Sequence, residues 1–247
     1  MVNSRDFFDA AISVVNEVAQ DEHDNILACA KMMGDCMLEN GIVQLFGINH
    51  GLAFSMELGY RAGGLMPFHQ FNTKDLAMRG VITEEQLRSP DFDNDCEMAH
   101  KMFNLYRIEK EDMFILVSNS GCEALIVEVA KIAKSKGHKV VAVVSKDLVS
   151  VSESTHPSKE NLVDIADLVI DNHSKASDAL IDVDGTHKMN QVGTITGNII
   201  AQMLTAETYH YLTDLGQECP VLLSANVKGA DKHNRALSDK YLGRWNS

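Results

Sequence analysis

Residues 113–145 constrain the fold of this chain more than any other stretch. An apolar run at 113–117 breaks into a polar turn at 118–121 (SNSG), and an amphipathic helical pattern then continues to Gly137. A second apolar run follows at 140–144. A strand, a turn, a helix and a strand within about thirty residues are typical of one right-handed βαβ unit. The segment therefore predicts two parallel strands connected by a helix.

The turn of this unit has the composition of an anion-binding site. It lies where a strand ends and a helix begins, so free backbone N–H groups and the positive helix terminus favour an anion there. Ser118, Asn119 and Ser120 add polar side chains, and Gly121 lets a ligand approach the backbone closely. The same residue types are also preferred in a plain helix N-cap, so the turn alone leaves both interpretations open. Neither this turn nor the one at 47–51 has a nucleotide-binding pattern, which disfavours a nucleotide.

Strands alternate with helices along the rest of the chain, and this order predicts an α/β fold with a parallel sheet covered on both faces. Ser4 is expected to cap the first helix of an N-terminal helical arm at 1–40, and 41–247 is expected to form an α/β core within one domain. The stretch at 72–111 is the least regular. The expected strands are 41–47, 66–71, 113–117, 140–144 and 168–170, with 221–223 extended. The expected helices include 25–39, 52–61, 96–106, 162–165, 190–215 and 232–242.

Ligands of such sheets bind at the carboxyl ends of the strands, near the point where the strand order reverses. The turns that follow the strands are therefore expected to share one rim. They lie at 47–51, 118–121, 145–150 and 171–178.

The composition excludes several classes of partner. A formal net charge of −13 disfavours nucleic acid and anionic membrane surfaces. The five cysteines form no CxxC pair, which indicates reduced thiols and a cytoplasmic protein; Cys122 is interpreted as a small residue at a helix start. No signal peptide or membrane span is evident. The ten histidines show no metal-ligand spacing, so neither a metal nor another cofactor is expected.

His50 and Glu57 are candidates for acid–base chemistry. His50 begins the helix after the first strand, and Glu57 lies two turns further along roughly the same face. A carboxylate beside C1 and C2 of a sugar transfers a proton between them. The alternatives are a helix-start histidine bonded to backbone and an exposed helix charge.

Other polar residues fall in the expected loops. His233, near a helix start, has a side chain that titrates near neutrality, and its alternative is a solvated surface histidine. Thr194 and Thr196 offer hydroxyls to a phosphate, or merely cap the long helix. Ser145 ends a strand on the same rim and is included among the phosphate-binding candidates.

Three motifs together resemble the SIS (sugar isomerase) domain, and more narrowly the stand-alone proteins grouped as UPF0309. They are SNSG within the βαβ unit, FGINHGLAFSMELGYRAGGL at 46–65 and LLSANVKGADKHNRAL at 222–237. The family patterns run approximately FGxGHS…E…YRAGGL, SNSGxN…E and SANxPGGDxHN. The similarity covers nearly the whole chain, and the motifs occur in the family's order.

The resemblance implies a three-layer α/β/α fold with a five-stranded parallel sheet, assembled as a homodimer or homotetramer. It implies a phosphorylated sugar as ligand, with Ser118 and Ser120 contacting the phosphate. Glu57 matches the helix carboxylate that acts as base in isomerases of the phosphoheptose type. His233 matches the tail histidine, which the resemblance directs toward a neighbouring subunit's site.

Two positions depart from the family patterns. Gly51 stands where serine is usual, and Glu123 stands where the SNSGxN pattern has asparagine. Either Glu123 points away from the phosphate, or the ligand differs from that of the relatives. The functions left open are an aldose–ketose isomerase, an etherase or lyase acting on an amino-sugar phosphate, and a phosphosugar sensor without catalysis.

Overall fold

The computed structural model describes residues 2–177, 179–241 and 244. A five-stranded, wholly parallel sheet lies between two layers of helices, which confirms the expected α/β/α architecture. Its strands are β1 (Val43–Gly47), β2 (Phe68–Gln70), β3 (Met113–Val117), β4 (Lys139–Val144) and β5 (Leu168–Asp171).

A separate antiparallel hairpin, which the sequence analysis did not predict, consists of β6 (Ile181–Asp182) and β7 (Lys188–Met189). The α-helices in chain order are α1 (Ser4–Asp21), α2 (His23–Leu38), α3 (Leu52–Leu58), α4 (Thr73–Met78), α5 (Glu84–Leu87), α6 (Glu97–Leu105), α7 (Ala124–Ser135), α8 (Lys146–Val149), α9 (Leu162–Ile165), α10 (Gly193–Asp214) and α11 (Ala230–Asp239).

The strands read as continuous apolar runs because both faces of the sheet are buried. Along β3, Phe114 and Leu116 face one core, which is shared with α6, α7 and α9. Ile115 and Val117 face the opposite core, shared with α2, α3 and α10. The second helix of the N-terminal arm therefore packs as part of a helical layer. Within the described part of the chain, none of the helices combines the length and apolar character needed to cross a membrane.

The strand order β2-β1-β3-β4-β5 places the reversal point between β1 and β3. The chain leaves β1 for β2 on one side and returns to form β3 on the other. Gly47 at the end of β1 is paired in register with Val117 at the end of β3. The loops after these two strands are therefore neighbours at the position where α/β sheets bind ligands.

Several local predictions are corrected by the structure. Asn3, and not Ser4, caps α1, because its side chain accepts from the backbone of Arg5 and Asp6 in a capping box. The helix predicted at 52–61 ends at Leu58, since Gly59 is extended. The stretch at 72–111, predicted to be the least regular, contains α4 and α5 in addition to α6, which matches the helix predicted at 96–106.

The termini of two further helices also differ. The helix after the SNSG turn begins only at Ala124, with Glu123 extended before it. The closing helix predicted at 232–242 spans Ala230–Asp239, and Leu242 lies outside the described residues.

Candidate functional site

The SNSG turn after β3 is held in a conformation that only glycine fits at its end. Gly121 has a φ of 60°, and a Cβ there would lie 2.5 Å from Asn161 Oδ1. The Gly121 N–H donates to Ser118 Oγ at 3.0 Å. From the next loop, Asn161 Nδ2 donates to Ser120 O at 3.2 Å, and Leu162 N–H donates to Gly121 O at 2.9 Å. The turn is therefore held by its own serine and by the segment at 161–162.

Two serine hydroxyls of this turn converge on one carboxylate. Ser118 Oγ donates to Glu123 Oε2 and Ser120 Oγ donates to Glu123 Oε1, each at 2.8 Å. Both serines are buried. The backbone of Glu123 is extended, with φ −68° and ψ 135°, before α7 begins. Glu123 therefore points inward, and its carboxylate stands at the position where the anionic group of a ligand is expected. We call the pair Ser118 and Ser120 the serine cradle.

The serine cradle opens into a cavity of about 170 Å³ at the reversal point of the sheet. Its walls come from the loops after β1 and β3, with contributions from the segments around α8 and before α10. The lining residues are Ile48, Asn49, His50, Gly51, Ser118, Asn119, Ser120, Glu123, Leu148 and Gln191. Three of the predicted phosphate contacts and His50 therefore do meet in one place.

The loop after β1 folds back so tightly that two of its positions have no room for a side chain. A Cβ at Gly47 would lie 2.1 Å from Gly51 O, and a Cβ at Gly51 would lie 2.5 Å from Val117 O. This backbone therefore leaves no room at Gly51 for the serine of the family pattern. Asn49 carries a φ of 50°, the left-handed conformation that asparagine tolerates better than most residues.

A polar row on α10 connects the cavity with Glu57. Thr194, Asn198 and Gln202 are four residues apart and so share one face of the helix. Thr194 and Asn198 line a small void of about 20 Å³ beside His50. The Oδ1 atom of Asn198 is buried and has no hydrogen-bond partner among the described residues. Gln202 Nε2 donates to Glu57 Oε1 at 2.7 Å, and Arg61 also pairs with this carboxylate.

The other predicted site residues do not line this cavity. Ser145 Oγ donates to Ser174 O at 2.6 Å, and Thr196 Oγ1 donates to Asn172 O at 2.7 Å. Both hydroxyls are fully buried and hold the loop that follows β5. His233 Nε2–H donates to Val221 O at 2.9 Å, and its neighbours Asp231 and Asn234, with Arg61, line a separate cavity of about 500 Å³. Glu57 lies further along α3, outside the walls of the 170 Å³ cavity.

A second carboxylate near the cradle was not identified from the sequence. Asp93 belongs to the short 3-10 turn Phe92–Asn94 and lines an adjoining cavity of about 340 Å³ with Lys74 and Arg88. Burial, and then the nearby charge of Glu123, raise the pKa of Asp93 above its usual value, while a hydrogen bond from Asn49 opposes this. Nothing in the acidic sequence around Asp93 indicated that the side chain of this residue turns inward.

The cysteines agree with the reduced state expected from their spacing. All five lie within the described ranges and carry free thiols. Burial raises the pKa of the Cys122 thiol, and the hydrogen bond with Ser120 only partly offsets this. Cys122 is therefore a protonated, weakly nucleophilic thiol at neutral pH.

The fold and this cavity together define a class: α/β proteins with a ligand pocket at the reversal point of a parallel sheet. The SIS domain family model matches residues 6–145. A UPF0309 protein of Geobacillus thermodenitrificans is 34% identical over 92% of this chain and 90% of its own length. One of Halalkalibacterium halodurans is 30% identical over 96% of this chain and 94% of its own length. The chain therefore belongs to the SIS domain family, in its UPF0309 branch.

Solved structures share the fold at low sequence identity. A phosphoheptose isomerase from Francisella tularensis aligns with a TM-score of 0.55 and 15% identity, covering 83% of this chain and 95% of that one. A phosphoheptose isomerase from Neisseria gonorrhoeae aligns with a TM-score of 0.52 and 15% identity, covering 81% of this chain and 94% of that one. This likeness confirms the fold predicted from the sequence.

Proposed function

We propose that this protein binds a phosphorylated sugar, with the phosphate in the serine cradle, and interconverts its aldose and ketose forms. The observation that carries the proposal is the convergence of Ser118 and Ser120 on a single anionic group. Two buried hydroxyl donors aimed at one negative charge form an arrangement suited to a phosphate oxygen. The named activities of structurally similar isomerases are consistent with this ligand class.

Glu123 has to leave the cradle before a phosphate enters. Its carboxylate makes the same two hydrogen bonds that a phosphate would make, so the side chain acts as an internal stand-in for the ligand. Two anions in one cradle repel each other, and rotation about the side-chain torsions of Glu123 removes that repulsion. Binding of the phosphosugar therefore competes with Glu123.

The sugar then extends from the cradle along the polar row of α10. Glu57 on α3 comes seven positions after His50, which lies in the 3-10 turn Asn49–Gly51 just before that helix. At helical spacing this is a rise of about 10 Å, close to the length of an extended sugar phosphate. The unpartnered Asn198 Oδ1 is placed to accept a hydrogen bond from a sugar hydroxyl on this path. Glu57, held by Gln202, is then near the carbons furthest from the phosphate.

In this arrangement Glu57 removes the proton from C2 of the open-chain aldose and returns it to C1. The charge that develops on the enediolate oxygens is stabilised by nearby donors, such as the side-chain amide of Gln202. His50, at the mouth of the cavity, exchanges protons with the sugar oxygens. His233 does not line this cavity, so the ring-opening role that the family resemblance suggests for it is proposed for the site of a neighbouring subunit.

A panel of sugar phosphates tested by thermal shift will identify the ligand, because only molecules that bind the folded protein raise the melting temperature. The Ser118→Ala and Ser120→Ala variants should each weaken binding about tenfold or more, since each loses a hydrogen bond to a charged group. Ser135→Ala is the control, because that exposed serine bonds to Ile132 O at the far end of α7. Absence of binding by every sugar phosphate would overturn the proposal.

Turnover is tested separately with the identified ligand. The Glu57→Gln variant should keep the affinity for the ligand and lose isomerisation. Tight binding with no turnover in the wild-type protein would indicate a sensor. Release of lactate from N-acetylmuramic acid 6-phosphate would instead indicate the etherase.

A further inference from the structure

Three potential metal ligands meet beside the N-terminal half of α7, outside the cavity, and His100 contacts one of them, Glu128. Cys96 immediately precedes α6, His100 lies one turn further on that helix, Glu128 is on α7, and His156 is in the loop before α9. Ligand atoms of Cys96, Glu128 and His156 lie within 4.8 Å of one another. The ligands come from three segments that are far apart in the sequence. Residue spacing alone therefore did not indicate a metal site.

Glu128 is at the centre of the group. His156 Nε2 is 2.8 Å from Glu128 Oε2, and His100 Nε2 is 3.0 Å from Glu128 Oε1. We propose that Cys96, His100, Glu128 and His156 bind one divalent transition metal of the zinc class. One thiolate, two imidazole nitrogens and one carboxylate oxygen complete a four-coordinate site of the kind that Zn²⁺ prefers.

The surroundings of the group suit a metal site. His156 Nδ1 accepts from the Ser158 backbone N–H at 3.0 Å, so without a metal the ring proton is on Nε2 and faces Glu128. Metal binding at Nε2 would move that proton to Nδ1, where Ser158 Oγ, 2.8 Å away, can accept it. The side chain of His156 is 6% exposed and that of Glu128 is 17% exposed, whereas His100 is 52% exposed. The exposed histidine gives an entry path, and the buried ligands exclude water from the far side. A thiolate and a carboxylate also neutralise the charge of a divalent ion.

A metal at this position would connect three segments that support the SNSG turn. The loop containing His156 is already tied to that turn, since Thr155 N–H donates to Cys122 O at 2.9 Å and Ala124 N–H donates to Thr155 Oγ1 at 3.0 Å. With four protein ligands no coordination position is open, so the role is structural. The metal would brace the wall behind the serine cradle and would not touch the sugar.

Co²⁺ titration of the purified full-length protein tests the site, because cobalt reports its ligands by absorption. We expect one Co²⁺ per chain, a thiolate-to-cobalt charge-transfer band and displacement by Zn²⁺. Cys96→Ser should abolish the band, and His156→Gln should weaken binding about tenfold or more. Cys122→Ser is the matched control, since it removes a half-buried thiol outside the group and should leave the band intact.

One further variant keeps the outcome decisive. If Cys96→Ser or His156→Gln fails to fold, His100→Gln changes an exposed ligand and should still weaken Co²⁺ binding in a folded protein. Glu22, Asp171 and His173 form another group of possible ligands, but they contain no sulfur and Glu22 Oε1 lies 3.4 Å from the Lys146 ammonium. Binding without a charge-transfer band, or no stoichiometric binding, would overturn the proposal.

Discussion

At the scale of single residues, the proposed function makes the position of Glu123 decisive for how strongly the serine cradle would bind an external anion. Replacing it with asparagine, the residue of the family pattern, frees both hydroxyls and removes the competing negative charge. We predict that Glu123→Asn binds the phosphosugar about tenfold more tightly, a difference of about 1.4 kcal/mol. Isothermal titration measures this directly. Glu218→Gln, which removes one negative charge at an exposed position, is the control.

The opposite result would also be informative. If Glu123→Asn bound the phosphosugar more weakly than the wild-type protein, Glu123 would contact the ligand itself and not compete with it. The proposed phosphate position would then be wrong.

Gly121 is a second residue whose effect follows from local geometry. Gly121→Ala places a methyl group against Asn161 Oδ1 and forces alanine into a left-handed conformation. Gly137 also has a positive φ, of 89°, but nothing lies within 4 Å of a Cβ there. We predict a loss of about 1 kcal/mol for Gly137→Ala from backbone strain alone. Gly121→Ala should lose about 1–3 kcal/mol more, from overpacking.

Urea denaturation of both variants separates these two contributions to the free energy of unfolding. Equal losses would show that the loop carrying Asn161 yields without cost. In that case the SNSG turn would be less tightly held than its contacts indicate.

At the scale of elements, the edge strand β2 depends on a buried neutral histidine. His69 Nδ1–H donates to Gln44 Oε1 on β1 at 2.7 Å, and Gln44 Nε2 donates to Asp112 Oδ2 at 3.0 Å. Burial lowers the pKa of His69 to about 4. In the unfolded chain histidine titrates near 6.5, so the unfolded state takes up this proton first as the pH falls. Stability is therefore complete above about pH 6.5 and is lost as the pH falls towards about 4.

We predict that this loss is reduced in His69→Gln, whose side chain does not titrate. The measurement is the urea midpoint at a series of pH values between those limits. His210→Gln serves as the control, because His210 is largely exposed on α10. An unchanged pH profile in His69→Gln would assign the acid sensitivity to other groups.

At the scale of the whole molecule, we predict that the chain assembles as a homodimer or homotetramer. Phe8 and Ile12 on α1, and Ile195 and Ile199 on α10, are each four residues apart and exposed. The two helices contact each other, and we predict that these side chains form one apolar surface between subunits. Ile199→Glu should shift the sedimentation behaviour towards the monomer. Met78→Glu, which changes an exposed methionine on α4, should not. A monomeric wild-type protein would contradict the prediction.

Much of the fold follows from the sequence because its signals are local. Apolar runs at 113–117 and 140–144 form strands since a buried parallel strand requires an apolar side chain on both faces. The helix ends were less predictable, because Asn3 and Ser4 are both good capping residues and the choice depends on which side chain reaches Arg5 and Asp6. The helices in 72–111 are short and depend on packing against the rest of the molecule.

The sequence by itself determined the α/β/α architecture, the family and the position of the SNSG turn at the end of β3. Only the tertiary structure decided what the side chains at that turn contact. It directs Glu123 into the serine cradle and buries the hydroxyls of Ser145 and Thr196 against carbonyl groups. The physical reason is the distance along the chain over which each feature is determined. Strand and turn formation depend on neighbours in the chain, whereas the direction of a side chain depends on atoms contributed by distant segments.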